Sequence, residues 1–551
     1  MKKFVTGLLA GSLLLAGTTA LAEGTASETL KNEMKRGPVT ANAPSLAVLS
    51  KSRGTMVYVP MDNRPVCKDY TVATMQAAGW NIVLPPEELL SSADRDGQPD
   101  KLLEWLEQNA QEAVAVVASA DALIYGGLVD SRTHHIEPSV LQSRAERLLS
   151  LKKKRHAPDI YVFVTIMRSP KASAAPVEPM YYEEWGGKLY RQGALLDKNE
   201  LQGLSRKETK ELKELNHTIP RNVIGDYYGR RRSNIRTTEL LLHGIESDSF
   251  NYLLVGRDDT SPLSQAHKEA RYMSSLVSNF SNTKIRFFSG ADQLGLVLLT
   301  QAANRLTFTT PLVYTEFGAG KGGATVPSYE DDTVAESAKQ HIFAAGAFPS
   351  KNPATADFIL LVNTPYNGKT PEASDAKNTG VADKHTKAFA DKVQSYLERG
   401  NKVIVADSAY GNGADNALVK ELFRRGLAYK VAAYGGWNTS GNTLGFALAQ
   451  GMEAPYYEGN AVKDLLTVRY LDDWAYQANA RMDVYKNVIW PNHMPNSGFT
   501  PEQTRIAEAA IKESITKVAE PVLGDVAKEY DFKLPWSRMF EVQPVKKTIE
   551  N

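Results

Sequence analysis

The sequence has few of the features that identify a crosslinked, strongly charged or nucleotide-binding protein. Cys67 is the only cysteine among 551 residues, so no disulfide can form within the chain. The formal net charge is +1, which gives no support to a nucleic-acid partner. No GxGxxG follows the first predicted strand, P-loop, GxSxG and HExxH patterns are absent, and the nine histidines are scattered. We therefore expect no cofactor and no histidine-rich zinc site.

The first 22 residues have the organisation of a secretory signal peptide. Two lysines precede an apolar run over residues 4–17, and Ala-Leu-Ala at 20–22 provides a cleavage site. The apolar run is too short to span a bilayer, and no later run has the required length. We expect an exported protein, periplasmic or extracellular, with no membrane insertion after cleavage.

After an arm at 23–54, short apolar runs rich in β-branched residues alternate with amphipathic segments of helical length. This alternation is typical of βαβ units and a mostly parallel sheet. The runs are almost continuously apolar, which indicates sheets buried on both faces. Strands are predicted at 56–61, 81–85, 122–127, 160–167, 251–256, 284–290, 311–317, 357–363, 402–407 and 429–434.

Ten predicted strands exceed the eight of a single barrel, so we predict an α/β fold with two doubly wound lobes. A (β/α)8-like barrel with two misassigned strands is the alternative. The predicted domains are a first α/β domain at 55–325 with a helical insertion at 170–249, a second α/β region at 355–452 and a helical C-terminal region at 453–551. Within the last region, 459–489 is predicted to form one long helix.

Polar clusters directly follow most of the predicted strands, where parallel α/β proteins bind ligands. Helix N-caps are also expected there, and Ser264, Asp292 and Asp415 fit that interpretation. Capping needs no arginine, however, and a helix N-terminus disfavours cations. We therefore predict one polar rim for a polyhydroxylated or anionic ligand. Its charged members would be Asp62, Arg64, Asp130, Arg132, Arg168, Arg257, Asp258, Asp259, Glu316 and Asp407.

These residues predict a hydrolase of carbohydrates, and most simply a glycosidase, because glycoside hydrolysis needs two carboxyl groups at one site. The candidate catalytic residues are Asp258, Asp259 and Glu316, followed by Asp62, Asp130 and Asp407. The candidate substrate-binding residues are Asn63, Arg64, Arg132, Arg168, Arg257, Asp292, Asn363, Tyr410, Trp437, Asn438 and Asn442. Tyr125 and Tyr366 are further candidates for stacking on a sugar. The expected partner is an oligosaccharide or another small molecule.

Several alternatives stay open at this point. The same rim suits a non-catalytic binder of a sugar or another polar solute. Asp258 and Asp259 could instead hold calcium or magnesium in a metal-dependent hydrolase, although their spacing matches no EF-hand loop. Cys67 is either a nucleophile or a small buried residue. The basic run at 229–236 is either a solvated helix face or a lid that meets an anionic substrate.

The segment YGGWNTSGNTLG at 434–445 connects the last predicted strand to a helix. Its first two glycines are predicted to turn the backbone, and Asn438, Thr439 or Ser440 is predicted to cap the helix. Neither role explains Trp437 or Asn442, so we expect Trp437 to form a wall of the ligand pocket.

Seven motifs, taken in this order, resemble a bacterial family catalogued as domain-of-unknown-function family 4127. They are YVPMDNRP (58–65), YGGLVDSR (125–132), GRDDTSP (256–262), GADQLG (290–295), VNTP (362–365), ADSAYGNGAD (406–415) and GWNTSGNTLG (436–445). The similarity covers residues 58–445. It implies an α/β protein that is often exported, and it carries over no activity and no catalytic residue.

Overall fold

Parallel strands form two sheets. The computed structural model describes residues 52–153, 157–277 and 283–547, so the predicted signal peptide and nearly all of the predicted arm lie outside the described residues. Sheet A contains β1 (Gly54–Val59), β2 (Trp80–Val83), β3 (Ala115–Ser119), β4 (Asp159–Ile166), β5 (Tyr252–Arg257) and β6 (Ile285–Ser289). Sheet B contains β7 (Leu312–Phe317), β8 (Phe348–Ser350), β9 (Phe358–Asn363), β10 (Lys402–Asp407) and β11 (Ala433–Gly435).

Both sheets have the strand order of a doubly wound fold. Sheet A runs β2-β1-β3-β4-β5-β6 and sheet B runs β8-β7-β9-β10-β11, with every neighbouring pair parallel. Counted from its own first strand, each sheet begins 2-1-3-4-5, so the direction of winding reverses beside that first strand. Neither sheet closes on itself. The predicted doubly wound α/β fold is therefore confirmed, and the barrel alternative is wrong.

Helices connect the strands and make up most of the C-terminal region. The α-helices are α1 (Asp69–Ala77), α2 (Pro99–Asn109), α3 (Ala120–Ile124), α4 (Leu128–Thr133), α5 (Pro138–Ser150), α6 (Tyr182–Gln202), α7 (Arg206–Thr218), α8 (Arg221–Glu246), α9 (Gln265–Val277), α10 (Leu294–Leu306), α11 (Val334–Ala344), α12 (Lys384–Glu398), α13 (Asn416–Arg424), α14 (Ser440–Glu453), α15 (Ala461–Arg469), α16 (Arg481–Val484) and α17 (Pro501–Leu523). The π-helical segment Tyr470–Ala480 joins α15 to α16, and a second one, Tyr485–Ile489, extends α16, so that together they form the long helix predicted at 459–489.

The two sheets share an apolar core through two of these helices. Helix α10 packs on β3 and β4 of sheet A, helix α14 packs on β10 and β11 of sheet B, and the two helices contact each other. Leu298 of α10 and Leu448 of α14 are fully buried in the same cluster. Burying a leucine side chain contributes about 1.5–3 kcal/mol. This packing fixes where the loops that begin these helices lie.

The predicted strand at 122–127 is wrong. The third strand is β3, where no strand is predicted, and Ala120–Ile124 forms the short helix α3. Both segments are fully buried, so an apolar run there does not distinguish strand from helix. The side chain of Ser119 accepts a hydrogen bond from the backbone N–H of Ala122 and ends the strand by capping the helix.

Four other strands differ from the prediction. The last strand of sheet B is β11, shorter and later than the predicted 429–434. Strand β8 lies between the two predicted α/β regions, where no strand is predicted. The C-terminal region, predicted to be helical, contains the antiparallel hairpin of β12 (Tyr530–Lys533) and β13 (Gln543–Lys546). The predicted insertion at 170–249 contains α6, α7 and α8, and the predicted domain boundaries stay a prediction. Over the described ranges, no helix is both long and apolar enough to cross a bilayer.

Candidate functional site

A cavity of about 370 Å³ lies at the carboxyl edge of sheet A. The loops after β1, β4, β5 and β6 form its walls together with α4, and segments from sheet B and the C-terminal region complete it. Its polar and aromatic lining residues are Arg64, Arg132, Arg168, Asp258, Asp259, Asp292, Tyr329, Asn412, Asn438, Asn496, Ser497, Trp536, Arg538 and Phe540. We call it the sheet A cavity. Seven of its lining residues are among the predicted site residues: Arg64, Arg132, Arg168, Asp258, Asp259, Asp292 and Asn438.

Arg64 connects the loops that follow β1 and β6. Asp62 accepts hydrogen bonds from the backbone N–H of Arg64 at 3.1 Å and from its Nε at 2.9 Å. Nη2 of Arg64 lies 2.7 Å from Oδ1 of Asp292. Burial alone would lower the pKa of Arg64, but the charges of Asp292 and Asp62 raise it well above its usual value. The guanidinium therefore stays charged although the Arg64 side chain is almost completely buried.

Asp258 and Asp259 follow β5 and line the same cavity. Neighbouring side chains of an extended chain point to opposite sides, and the φ of 27° at Asp259 departs from that geometry. Asp258 forms an ion pair with Nη2 of Arg132. Oδ2 of Asp259 lies 2.9 Å from Nη1 of Arg168, whose Nε donates to Glu178 at 2.6 Å. Each of the two carboxylates thus has its own arginine.

Burial changes the acid–base behaviour of two of these carboxyls. Burial raises the pKa of Asp259, and the negative charge of Asp258 raises it further, while Arg168 acts in the opposite direction. Burial also raises the pKa of Asp292, against the charge of Arg64. Asp259 and Asp292 therefore retain a proton to a higher pH than an exposed aspartate does, which is a property of carboxyls that donate protons in catalysis.

Four non-glycine residues that line this cavity have a left-handed backbone. Besides Asp259, φ is 68° at Tyr329, 58° at Asn412 and 61° at Asn438. The backbone N–H of Asn412 donates to the carbonyl of Asn438 at 2.8 Å, which joins the two loops. Positive φ in a residue other than glycine costs about 1–3 kcal/mol and is concentrated at ligand sites. The strain is consistent with a binding role for these loops.

The C-terminal region supplies walls that the sequence interpretation missed. Nε1 of Trp536 donates to Oδ1 of Asn63 at 2.8 Å. Asn63, a predicted substrate-binding residue, therefore positions Trp536 and does not itself line the cavity. Arg538 lies over the Trp536 ring, with its guanidinium carbon 4.9 Å from the ring centroid, and pairs with Glu541. The run WSRMF at 536–540 combines aromatic and basic residues, and this is the sequence feature that could have indicated these walls.

The segment at 434–445 reaches the sheet A cavity through its asparagines. Nδ2 of Asn438 donates to Oδ2 of Asp292 at 3.3 Å. Oδ1 of Asn442 accepts from the backbone N–H of Asp292 at 3.1 Å, so this side chain orients the loop after β6. Trp437 does not line the cavity. It is 2% exposed, and its ring contacts the rings of Phe446 and Phe540.

The expected cap of helix α14 is also wrong. Thr439 occupies the N-cap position, and no side chain of the segment caps the helix. Glu330 supplies the acceptor instead, since its Oε1 accepts from the backbone N–H of Gly441. The π-helical segment holds the preceding turn, because Oδ2 of Asp473 accepts from the N–H of Gly436 at 2.8 Å. Both partners are distant in sequence, so no local pattern identifies them.

Several predicted site residues lie outside this cavity, so the predicted single rim is not formed. Glu316 lies 3.1 Å from Nζ of Lys392 and lines no cavity described here. Asp130 lines a separate cavity of about 430 Å³ beside Tyr125, and burial raises the pKa of Asp130 to about 7. Arg257 pairs with Asp331 at 3.0 Å and with Asp332.

The predicted residues of sheet B form a different group. Nδ2 of Asn363 donates to Oδ1 of Asp407 at 2.9 Å and to Oδ2 of Asp415 at 3.2 Å, and Tyr434 donates to Asp407 at 2.8 Å. Burial raises the pKa of Asp407 to about 7, and the charge of Asp415 contributes to the increase. Asp415 also caps α13, as expected. Tyr410 lies beside this group, in a cavity at the carboxyl edge of sheet B.

The basic run at 229–236 contains a structural arginine. Arg231 is 1% exposed and forms a bidentate pair with Glu269 at 2.7 and 2.9 Å. It also donates to the backbone carbonyls of Met167 and Arg168. This residue therefore holds the loop after β4, and it is neither solvated nor part of a lid.

Cys67 is buried beneath the sheet A cavity. Its thiol is 1% exposed, and burial raises its pKa well above the usual value. Nη2 of Arg64 approaches the sulfur at 3.4 Å. A thiol needs exposure and a low pKa to act as a nucleophile, so this environment favours the packing role. Within the described ranges, no three His, Cys, Asp or Glu side chains are arranged to hold a metal ion.

Comparison with protein families extends the similarity carried by the seven motifs to almost the whole chain. The model of a family described as "Protein of unknown function (DUF4127)" matches residues 56–544. The chain belongs to this family. No curated protein and no solved structure matches the chain. The match begins within β1 and extends through both sheets to the C-terminal segment that carries Trp536 and Arg538, whereas the seven motifs end at residue 445.

Proposed function

We propose that the sheet A cavity is the active site of an exported hydrolase that cleaves a carbohydrate. The supporting observation is that Asp258, Asp259 and Asp292 line one cavity together with aromatic side chains. Glycoside hydrolysis needs a carboxyl that donates a proton and a second carboxylate that acts as nucleophile or base. Tyr329, which is 41% exposed, offers a flat aromatic surface to a sugar ring.

The surroundings of the carboxyls favour different roles for them. Asp259 is proposed as the proton donor, because burial and the neighbouring charge of Asp258 raise its pKa. Asp258, which pairs with Arg132, is proposed as the second carboxyl group, the nucleophile or base. Nε of Arg132 is buried and has no hydrogen-bond partner among the described residues. A polar group of the substrate would satisfy this donor.

A sugar binder without turnover is the second candidate. Asp258, Asp259 and Asp292 each form an ion pair with an arginine. Such pairs hold the carboxylates in fixed positions that suit recognition as well as catalysis. A metal-dependent hydrolase has less support, because the arginines occupy the positions where a cation would meet Asp258 and Asp259.

The test is a screen of envelope-derived and plant-derived glycans for the release of reducing ends. On a substrate that is cleaved, D259N should lower kcat by about 10²–10⁴, the usual contribution of general acid catalysis. Glu316 also follows a strand but lies outside the cavity, so E316Q is the matched control and should retain full activity.

Two results would revise the proposal. Full activity in each of D258N, D259N and D292N would place the chemistry elsewhere. A glycan that raises Tm without releasing product would favour the binder, because a ligand that binds only the folded state stabilises it.

A further inference from the structure

Sheet B has a cavity of its own at the place where its winding reverses. The strand order reverses between β7 and β9, and ligands of doubly wound sheets bind at the carboxyl ends of such strands. A cavity of about 540 Å³ lies there, lined by residues that follow β7, β9 and β10 and by the first residues of α12. It shares no lining residue with the sheet A cavity.

The charges in this cavity balance. Its charged side chains are Lys369, Lys377, Asp383 and Asp415. The two helix N-termini in its wall are already capped, since Asp383 accepts from the backbone N–H groups at the start of α12 and Asp415 from those at the start of α13. No free helix N-terminus is therefore left to bind a phosphate. These features favour a ligand without net charge.

A glycine-rich stretch beside the cavity does not change this conclusion. Residues 318–323, GAGKGG, match the GxGxxG spacing of dinucleotide-binding turns. The next α-helix begins only at Val334, however, so no helix dipole points at the turn. A Cβ at Gly320 would lie 2.1 Å from the carbonyl oxygen of Tyr366, and one at Gly318 would lie 2.8 Å from that of Thr364. These two glycines are explained by close packing of the loops after β7 and β9.

The remaining groups suit a hydroxylated ring. Tyr366 stacks on His385 at 4.2 Å and remains 57% exposed, so a fixed aromatic surface faces the solvent. Thr364 is 5% exposed, and its Oγ1 has no hydrogen-bond partner in the part of the chain that the structure describes. Asn363, which bridges two carboxyls, keeps the floor of the cavity rigid. An aromatic platform with buried polar groups beside it is typical of small-molecule sites.

We propose that this cavity is a second binding site, which takes one neutral sugar unit on the Tyr366 ring and hydrogen-bonds its hydroxyls through Thr364 and Asp415. The site would bind glycan separately from the sheet A cavity, and its existence does not depend on hydrolysis there.

The test is calorimetric titration with neutral hexasaccharides: cellohexaose, xylohexaose, maltohexaose and chitohexaose. The full chain would carry D259N, so that cleavage does not remove the ligand. Adding Y366A should weaken binding of at least one hexasaccharide by about tenfold or more, as for an aromatic anchor. T364V should weaken it by a smaller factor. Tyr272 is exposed and lines neither cavity, so Y272A is the matched control and should leave binding unchanged.

Three results would overturn the proposal. They are the absence of binding by all four sugars, identical isotherms for the Y366A and Y272A variants, and binding of inorganic phosphate or ATP that Y366A abolishes. The proposed hydrolase fails differently, through the absence of product with the wild-type chain. The two proposals are therefore tested separately.

Discussion

Arg64 and Asp292 are 228 positions apart in the chain and form a 2.7 Å ion pair at the carboxyl edge of sheet A. Their strands β1 and β6 are separated by three others, so their ends are roughly 19 Å apart at the usual strand spacing. The pair forms because α10, which begins just after Asp292, packs against α1, which begins just after Arg64. The cavity is enclosed by this contact between distant loops.

Breaking this pair should destabilise the protein. In D292N the buried Arg64 keeps its pair with Asp62 but loses the charge of Asp292. The free energy of unfolding should therefore fall by about 3 kcal/mol. Urea denaturation measures the change. Asp525 pairs with Lys528 at the surface, so D525N is the control and should cost less than about 1 kcal/mol. Equal small losses for both variants would show that the buried pair contributes no more than a surface pair.

Glu330 should make stability depend on pH. Burial raises its pKa to about 8, while in the unfolded chain it titrates near the ordinary glutamate value of about 4.3. Between these values the folded state holds a proton that the unfolded state has released, so this residue's contribution to stability falls as the pH rises. E330Q removes the titration and keeps an acceptor for the N–H of Gly441.

Relative to wild type, E330Q should therefore gain roughly 2–4 kcal/mol of stability between pH 5 and pH 8. Denaturant unfolding at each pH measures the difference. E398Q changes an exposed glutamate and should follow the wild type throughout. A difference between E330Q and wild type that is independent of pH would contradict the assignment.

Gly451 should tolerate no side chain. It lies in α14 against sheet B, where a Cβ would be 2.4 Å from Cγ1 of Ile404. G451A should therefore lower the free energy of unfolding by about 1–3 kcal/mol through overpacking. Gly225 lies within α8 with nothing within 4 Å of a Cβ, so G225A should instead stabilise by about 0.5–1 kcal/mol. Thermal unfolding of both variants gives the comparison, and a neutral G451A would mean that α14 can move away from the sheet.

Cys67 should be protected from thiol reagents. Because its side chain is buried and burial raises its pKa, 5,5′-dithiobis(2-nitrobenzoate) should react with no thiol in the folded protein. One equivalent per chain should react in urea, since this is the only cysteine. Rapid reaction of the folded protein would mean that the loop after β1 opens easily.

The strand pattern could be predicted wherever turn signals bounded an apolar run. The segment around β3 could not be, because AVAVVASADALIYGG is apolar almost throughout and a buried helix resembles a buried strand. Hydrogen bonding between strands decides which residues form the strand, since Ala115–Ser119 pairs with β1 on one side and β4 on the other. The cap of α14 escaped prediction for a similar reason, because Glu330 lies 111 positions away from Gly441.

The sequence by itself determined the α/β class and the polar character of the strand-end loops, because periodicity and capping depend on near neighbours in the chain. Tertiary structure decided which loops meet. Asp258 follows β5 and lines the sheet A cavity, whereas Asp407 ends β10 in the other sheet and is hydrogen-bonded to Asn363. The strand order and the packing of α10 against α14 bring Asp292, Asn438 and Trp536 to one cavity. These contacts join distant parts of the chain, and no local pattern of residues encodes them.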